Sequence, residues 1–393
     1  MQTAIRDTLY QVLILDRDPA LGRGARLQAS IEARARDLGL DPGQAFLFTD
    51  AEGAQSLRGN APWVTVVFGG LHADPAMDLL VKSLVENGRF VLPVVPTTDN
   101  FPAQVPPALR PINAFSLNPA DTTLTDVAAR VFEEFRLLRH ERKVFISYRR
   151  DESRAVALQL FQHLEERGFS PFLDTHRITT GVDFQESLMD ELSDADVVVM
   201  LDTPRITESH WAMEEIRRAG HLGVGILQVL WPIYTRSEVS SLADPLYLDP
   251  PDFEDLQGRD PDQHSRLTLA ACDRLTVAIE NLRARSFAAR RTRVIEELHA
   301  GARAAGIPIV ERLGSHIEVQ LPRGTAYVIP VVGHPSAMHC NTAHIDFQST
   351  VKEIVLLHDT LGAHPRRLLH LSWLNEHLPV RTVARDRVAA WMR

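Results

Sequence analysis

The strongest constraint on this chain is a rhythm. Short, unbroken apolar runs such as "YQVLILD", "WVTVVFGG", "RFVLPVVP", "KVFISY", "DVVVMLD" and "VGILQVLWP" recur along it. A strand with one face in water alternates apolar and polar residues; an unbroken run fits a strand covered on both faces. Between the runs lie stretches with helical periodicity. "LQASIEARARDLG" and "AMDLLVKSLVENG" end at glycine, and "SRAVALQLFQHLEERG" and "SHWAMEEIRRAG" follow the same plan. Strand, helix, strand, helix predicts α/β domains built on parallel sheets.

The 393 residues fit two or three domains. Pattern divides them into three blocks: an α/β Rossmann-like domain over 1–140, a second α/β domain over 141–287, and a C-terminal α+β or α/β domain over 288–393, read as regulatory. "ADTTLTDVAARVFEEFRLLRHER" reads as the last helix of the first block. "DQHSRLTLAACDRLTVAIENLRAR" reads as the closing helix of the second, and "RTRVIEELHAGARAAG" as the opening helix of the third. Then "PIVERLGSHIEVQLPRGTAYVIPVVG" suggests two or three strands, and "TVKEIVLLHDTLGA" and "VARDRVAAWMR" suggest helices. The segment from Trp63 to Pro96 echoes that from Asp196 to Pro232: strand, loop, helix, Gly, strand, Pro.

Composition excludes several classes. The hydrophobic fraction is 45% and the charged fraction 24%, as in ordinary globular proteins. A net charge of -9 argues against general binding to nucleic acid or a membrane surface. Cys272 and Cys340 are too few for a disulfide framework or a zinc site. The histidines of the third block, His316, His334, His339, His344, His358, His364, His370 and His377, have no strong metal spacing. The opening segment lacks the form of a signal peptide, and no run approaches the roughly 20 apolar residues of a spanning helix. The expectation is a cytoplasmic protein without a metal or bound cofactor.

Chemistry concentrates in the second block. "VFISYRRDES" is a buried strand ending in Ser147, Tyr148, Arg149 and Arg150, where sheets of this class bind ligands. Together with "GFSPFLDTHRITTGVDF", "DADVVVMLDTPRITESHWAMEE" and "GILQVLWP", in that order over about Lys143 to Pro232, it resembles a Toll/interleukin-1 receptor (TIR) domain. The resemblance covers the central third. It implies a flavodoxin-like parallel sheet, flanked here by the two other domains. TIR domains of the bacterial immune type cleave NAD at the nicotinamide–ribose bond, using a glutamate four residues after a Trp on the αC helix. That pattern is Trp211 and Glu215 here, on one helix face, with Glu214 turned away.

On this resemblance Glu215 is the catalytic carboxylate, able to hold the ribose hydroxyls and stabilise an oxocarbenium-like centre. Tyr148, Arg149, Arg150, Asp174, Phe184 and Trp211 are substrate-binding. The arginines suit the pyrophosphate and the aromatic ring a flat base. Asp174 and Phe184 flank the BB loop, where Gly181 supplies freedom. NAD is then a substrate, and the product is ADP-ribose or a cyclic isomer. Self-association through the TIR domain completes the site, and a small-molecule or protein trigger acts through the flanks, in anti-phage defence. The alternative is a non-enzymatic TIR scaffold that oligomerises and recruits a partner.

The residues alone leave other roles open. Glu215 also fits a solvated helix glutamate, Arg149 a surface pair with Asp151 or Glu152, Trp211 a packing residue and Asp174 a loop cap. Phe145 reads as core. The echo in the first block has no SYRR, and its position near Leu79 carries no acid; as a degenerate TIR-like copy it would be catalytically empty.

Overall fold

The structure, a computed structural model, describes residues 10–57, 61–173, 184–232, 236, 243–254, 264–312, 316–351 and 353–393. The chain forms two compact units, Met1–His140 and Glu141–Arg393.

The first unit runs β1 (Tyr10–Asp16), α1 (Arg23–Asp37), α2 (Pro42–Ala45), β2 (Phe46–Thr49), β3 (Trp63–Phe68), α3 (Pro75–Glu86), β4 (Val91–Val95), α4 (Phe101–Gln104), β5 (Phe115–Ser116) and α5 (Thr125–Glu134). The sheet is parallel, in the order β2-β1-β3-β4-β5. The expected apolar runs form its three central strands, and α1 stops at Leu38–Gly39, with Gly39 left-handed. The last helix is shorter than the sequence suggests. It ends at Phe135, and Arg136 turns at φ 58°.

The second unit opens with β6 (Lys143–Ser147), α6 (Arg150–Glu166), β7 (Ser170–Leu173), α7 (Phe184–Asp194), β8 (Val197–Asp202), α8 (His210–Leu222), β9 (Gly225–Leu230) and β10 (Asp244–Tyr247). These strands form a parallel sheet, β10-β9-β8-β6-β7. Read from β7, it visits the second, first, third, fourth and fifth strands, the flavodoxin-like order. The first unit's sheet has the same order, so the sequence echo falls on equivalent strands. β10, unread in the sequence, carries Pro245, which an edge strand tolerates.

Each face of this sheet has its own core. Val144, Ile146, Val199 and Val229 pack against Val156, Leu160 and Leu164 of α6. Phe145, Val198 and Met200 pack against Leu188 and Leu192 of α7 and Ala212, Ile216 and Ala219 of α8. Phe145 is core, as expected.

The two helices expected on either side of residue 287 are one helix, α9 (Leu269–Ala305). Its interior contains no Gly or Pro except Gly301, and Ala and Arg keep the backbone helical. Thr268 caps its start, accepting from the Ala271 N–H at 3.3 Å, and left-handed Gly306 ends it. Its first half (Cys272, Leu275, Ile279) completes the second sheet's core, and its second half (Val294, Leu298, Ala302) packs on the third sheet.

That sheet comprises β11 (Ile309–Arg312), β12 (His316–Leu321), β13 (Gly324–Val331), α10 (Ala337–Phe347), β14 (Glu353–His358), α11 (Pro365–His377), β15 (Val380–Ala384) and α12 (Val388–Met392), with strands in sequence order. The β11, β12 and β13 pairs are antiparallel; β13, β14 and β15 are parallel. "EIVLLH", read as helical, is therefore a strand. Helices on both sides bury it, so its apolar run carries no two-residue alternation to distinguish it from helix.

Candidate functional site

β6 alternates its side chains, and this decides who meets whom at its end. Phe145 and Ser147 face α8; Val144, Ile146 and Tyr148 face α6 and α9. Ser147 is buried, and its hydroxyl donates to Glu215 Oε2 at 2.8 Å. Glu215 is completely buried. It sits on the apolar stripe of α8 with Ala212, Ile216 and Ala219, while Glu214 turns outward to pair with Arg217 at 2.6 Å. The Ser209 hydroxyl caps α8 by accepting from the Ala212 N–H.

More polar groups lie on this face, at the carboxyl ends of the central strands. Ser147 is in register with Met200, and Met200 with Gln228. Gln228 donates to buried Asp202 at 2.7 Å and accepts from Arg236 Nε at 2.7 Å. The strand order reverses between β7, β6 and β8, so these buried groups lie at the end of the sheet where this class receives ligands.

Above the strand end, the β6–α6 and β8–α8 connections are tied by charge. Arg149 donates from Nε to Asp151 Oδ1 at 2.9 Å and from a terminal nitrogen to the Arg205 carbonyl at 2.7 Å. It also lies 3.2 Å from Glu208 Oε2. Arg205 in turn bonds Asp151 at 2.9 Å and Glu152 at 3.2 Å. Glu152 is buried and accepts from the Thr203 hydroxyl at 2.7 Å and the Arg205 N–H at 3.2 Å. Desolvation pushes the Asp151 carboxyl up, but hydrogen bonds from Arg149 and from its own backbone N–H hold it below the usual range. The hydrogen bond to Glu152 raises Arg205.

Glu215 and the strand end bearing Arg149 are thus neighbours through Ser147. Tyr148 points to the other sheet face, into the core with Val156 and Leu160. Arg150, first residue of α6, is exposed. Asp174 and Gly181 lie outside the described residues, as do the side chains of Phe184 and Trp211. Sequence reasoning missed Ser147 as the partner of Glu215, missed Arg205, Asp202 and Gln228, and read Glu152 as a surface partner of Arg149, where the structure buries it and pairs Arg149 with Asp151. Two signals were present: strand period for Ser147, and an acid inside the 212, 216, 219 apolar stripe for Glu215.

Among the described residues no cluster of three or more His, Cys, Asp or Glu side chains could hold a metal. Burial pushes the Cys272 thiol up to about 11 and raises Cys340, which disfavours the thiolate form of both. No described helix is long and apolar enough to cross a membrane.

A five-stranded parallel sheet in flavodoxin-like order, with polar groups gathered at its switch point, defines the class of the second unit's first sheet. Residues 144–268 match the family model of the TIR domain, and this stretch of the chain is a TIR domain. No curated protein matches the chain. Solved structures that the chain matches include the C-terminal domain of glucosamine-fructose-6-phosphate aminotransferase from Francisella tularensis, at 10% identity and TM-score 0.22 over 71% of this chain and 84% of that one. Tagatose-6-phosphate ketose/aldose isomerase from Escherichia coli matches at 12% and 0.20 over 72% and 82%. At these scores the likenesses bear on neither fold nor function.

Proposed function

We propose that the TIR domain cleaves NAD at the nicotinamide–ribose bond, with Glu215 as the catalytic carboxylate. The observation that carries the reading is the fully buried Glu215, hydrogen-bonded to Ser147 at the carboxyl end of β6. Burying a carboxylate is costly, and acids retained in such places cluster at functional sites. Nicotinamide leaves as a neutral base from a cationic ring, so no strong general acid is required. The developing charge on the ribosyl carbon needs a nearby anion, which Glu215 supplies while Ser147 fixes one of its oxygens. Water attack then gives ADP-ribose, and attack by an adenine nitrogen gives a cyclic product.

Arg149 and Arg205 already hold carboxylates, so the closed strand-end loop binds a pyrophosphate only by exchanging Asp151 or Glu208 for phosphate oxygens. This fits an enzyme switched on by self-association of TIR domains. Purified protein, dilute and concentrated, incubated with NAD should release nicotinamide, more per subunit when concentrated. Absence of nicotinamide at every concentration, with biological activity intact in Glu215→Gln, would leave the non-enzymatic scaffold as the function.

A further inference from the structure

Two cavities meet at Arg218, where α8 of the TIR domain faces the loop between β14 and α11. One, of about 320 Å³, lies between Arg217, His221 and Leu222 on α8 and Leu361 and Gly362 on the loop. The other, of about 220 Å³, continues along Met189, Asp190, Ala363, His364 and Pro365. Arg218 and Gly362 line both. The larger sits at the lower end of the roughly 300–1,000 Å³ range of small-molecule sites.

The charge in this cleft is unbalanced. Glu214 is neutralised by Arg217, and Asp190 by Arg367 at 2.7 Å. Arg218 has one hydrogen bond among the described residues, a long one of 3.4 Å to the Gly362 carbonyl, which carries no charge. His364, whose Nδ1 accepts from the Arg366 N–H at 3.1 Å, lines the smaller cavity. The positive end of α11 begins at Pro365 beside it. The walls are apolar: Leu222, Leu361, Met189 and Pro365. The cleft is also firmly shaped. A Cβ on Gly362 would lie 2.7 Å from Leu222, so the loop backbone rests directly on the end of α8.

We propose that this cleft binds a nucleoside monophosphate, with Arg218 anchoring the phosphate and the apolar walls receiving the flat base. One guanidinium with no carboxylate partner among the described residues suits a single phosphate. Occupancy ties α8, the helix that carries Glu215, to the third sheet. The binding itself is independent of NAD cleavage.

The test is calorimetry on the full chain with AMP, adenosine and inorganic phosphate as probes. AMP should bind at one site, more tightly than either fragment. Arg218→Gln should weaken AMP by about tenfold or more, the loss of a charged hydrogen bond, and leave adenosine unchanged. Ala363→Phe, filling the cleft from its rim, should abolish AMP binding with the cation intact. Arg149→Gln should bind AMP as the parent does. The proposal is overturned by no AMP binding at millimolar concentration, by undiminished binding in either cleft variant, or by loss in Arg149→Gln, which would place the nucleotide at the strand end.

Discussion

Replacing Glu215 with glutamine separates chemistry from architecture more cleanly than any other change at the site. The amide has the shape of the acid, and its oxygen can still accept the Ser147 hydroxyl now 2.8 Å from Oε2. The fold loses a charge-assisted bond and keeps a neutral one, a cost of about 1 kcal/mol. Relief from burying a charge at a fully enclosed position acts in the opposite sense. The net effect on stability should stay within about 1 kcal/mol, a shift of about 2–4 °C in Tm for a unit of this size. The transition state loses its only proposed anion. Deleting one electrostatic group from a preorganised site costs about 10²–10³ in rate. Nicotinamide release, followed by chromatography at matched protein concentration with melting curves alongside, should fall by that factor while Tm stays within about 4 °C of the parent. Glu215→Ala should fall as far but melt lower, because Ser147 is left buried without its acceptor. Turnover in Glu215→Gln within about threefold of the parent would refute the catalytic assignment and leave Glu215 a core acid.

Three further outcomes follow from the second unit. Arg283 is fully buried between Asp196 at 3.3 Å and Glu280 at 3.0 Å, so Arg283→Ala should cost about 3–5 kcal/mol in urea denaturation by removing the cation that the two buried acids share, with Arg142 at 3.5 Å still beside Glu280. Gly362 has φ 77° and touches Leu222, so Gly362→Ala should lower stability by about 1–3 kcal/mol, with unchanged stability contradicting the close packing of loop on α8. Burial pushes His358 down to about 4, and burial also lowers His334 despite Asp194 and Asp190. Both sites are neutral in the fold while the unfolded chain protonates near 6.5, so stability is complete above about pH 6.5 and falls toward pH 4, by about 3 kcal/mol from His358. His358→Gln should flatten denaturation midpoints measured between pH 4.5 and 7.5; an unchanged slope would place the titration elsewhere.

The parallel sheets were legible because strands covered on both faces must be apolar throughout, and "DVVVMLD" and "YQVLILD" announce that without any partner being known. The same property hid β14, where an unbroken run between helices has no period to reveal it. α9 was divided in two because a helix shared by two cores changes its apolar face midway, from Leu275 and Ile279 to Val294 and Leu298.

At the site, the sequence by itself determined that Glu215 shares a helix face with Trp211 and that Ser147 and Tyr148 take opposite faces of their strand, since each follows from a helical or strand period. Only the tertiary structure decided that Glu215 and Ser147 meet, 68 residues apart, and that Tyr148 enters the core with Val156 and Leu160. It also decided that Arg149, Asp151 and Glu152 are tied to Arg205, more than 50 residues on. Local spacing fixes the direction of a side chain within its own element. Which groups satisfy it depends on how the strands are ordered, and strand order arises from packing of the whole sheet.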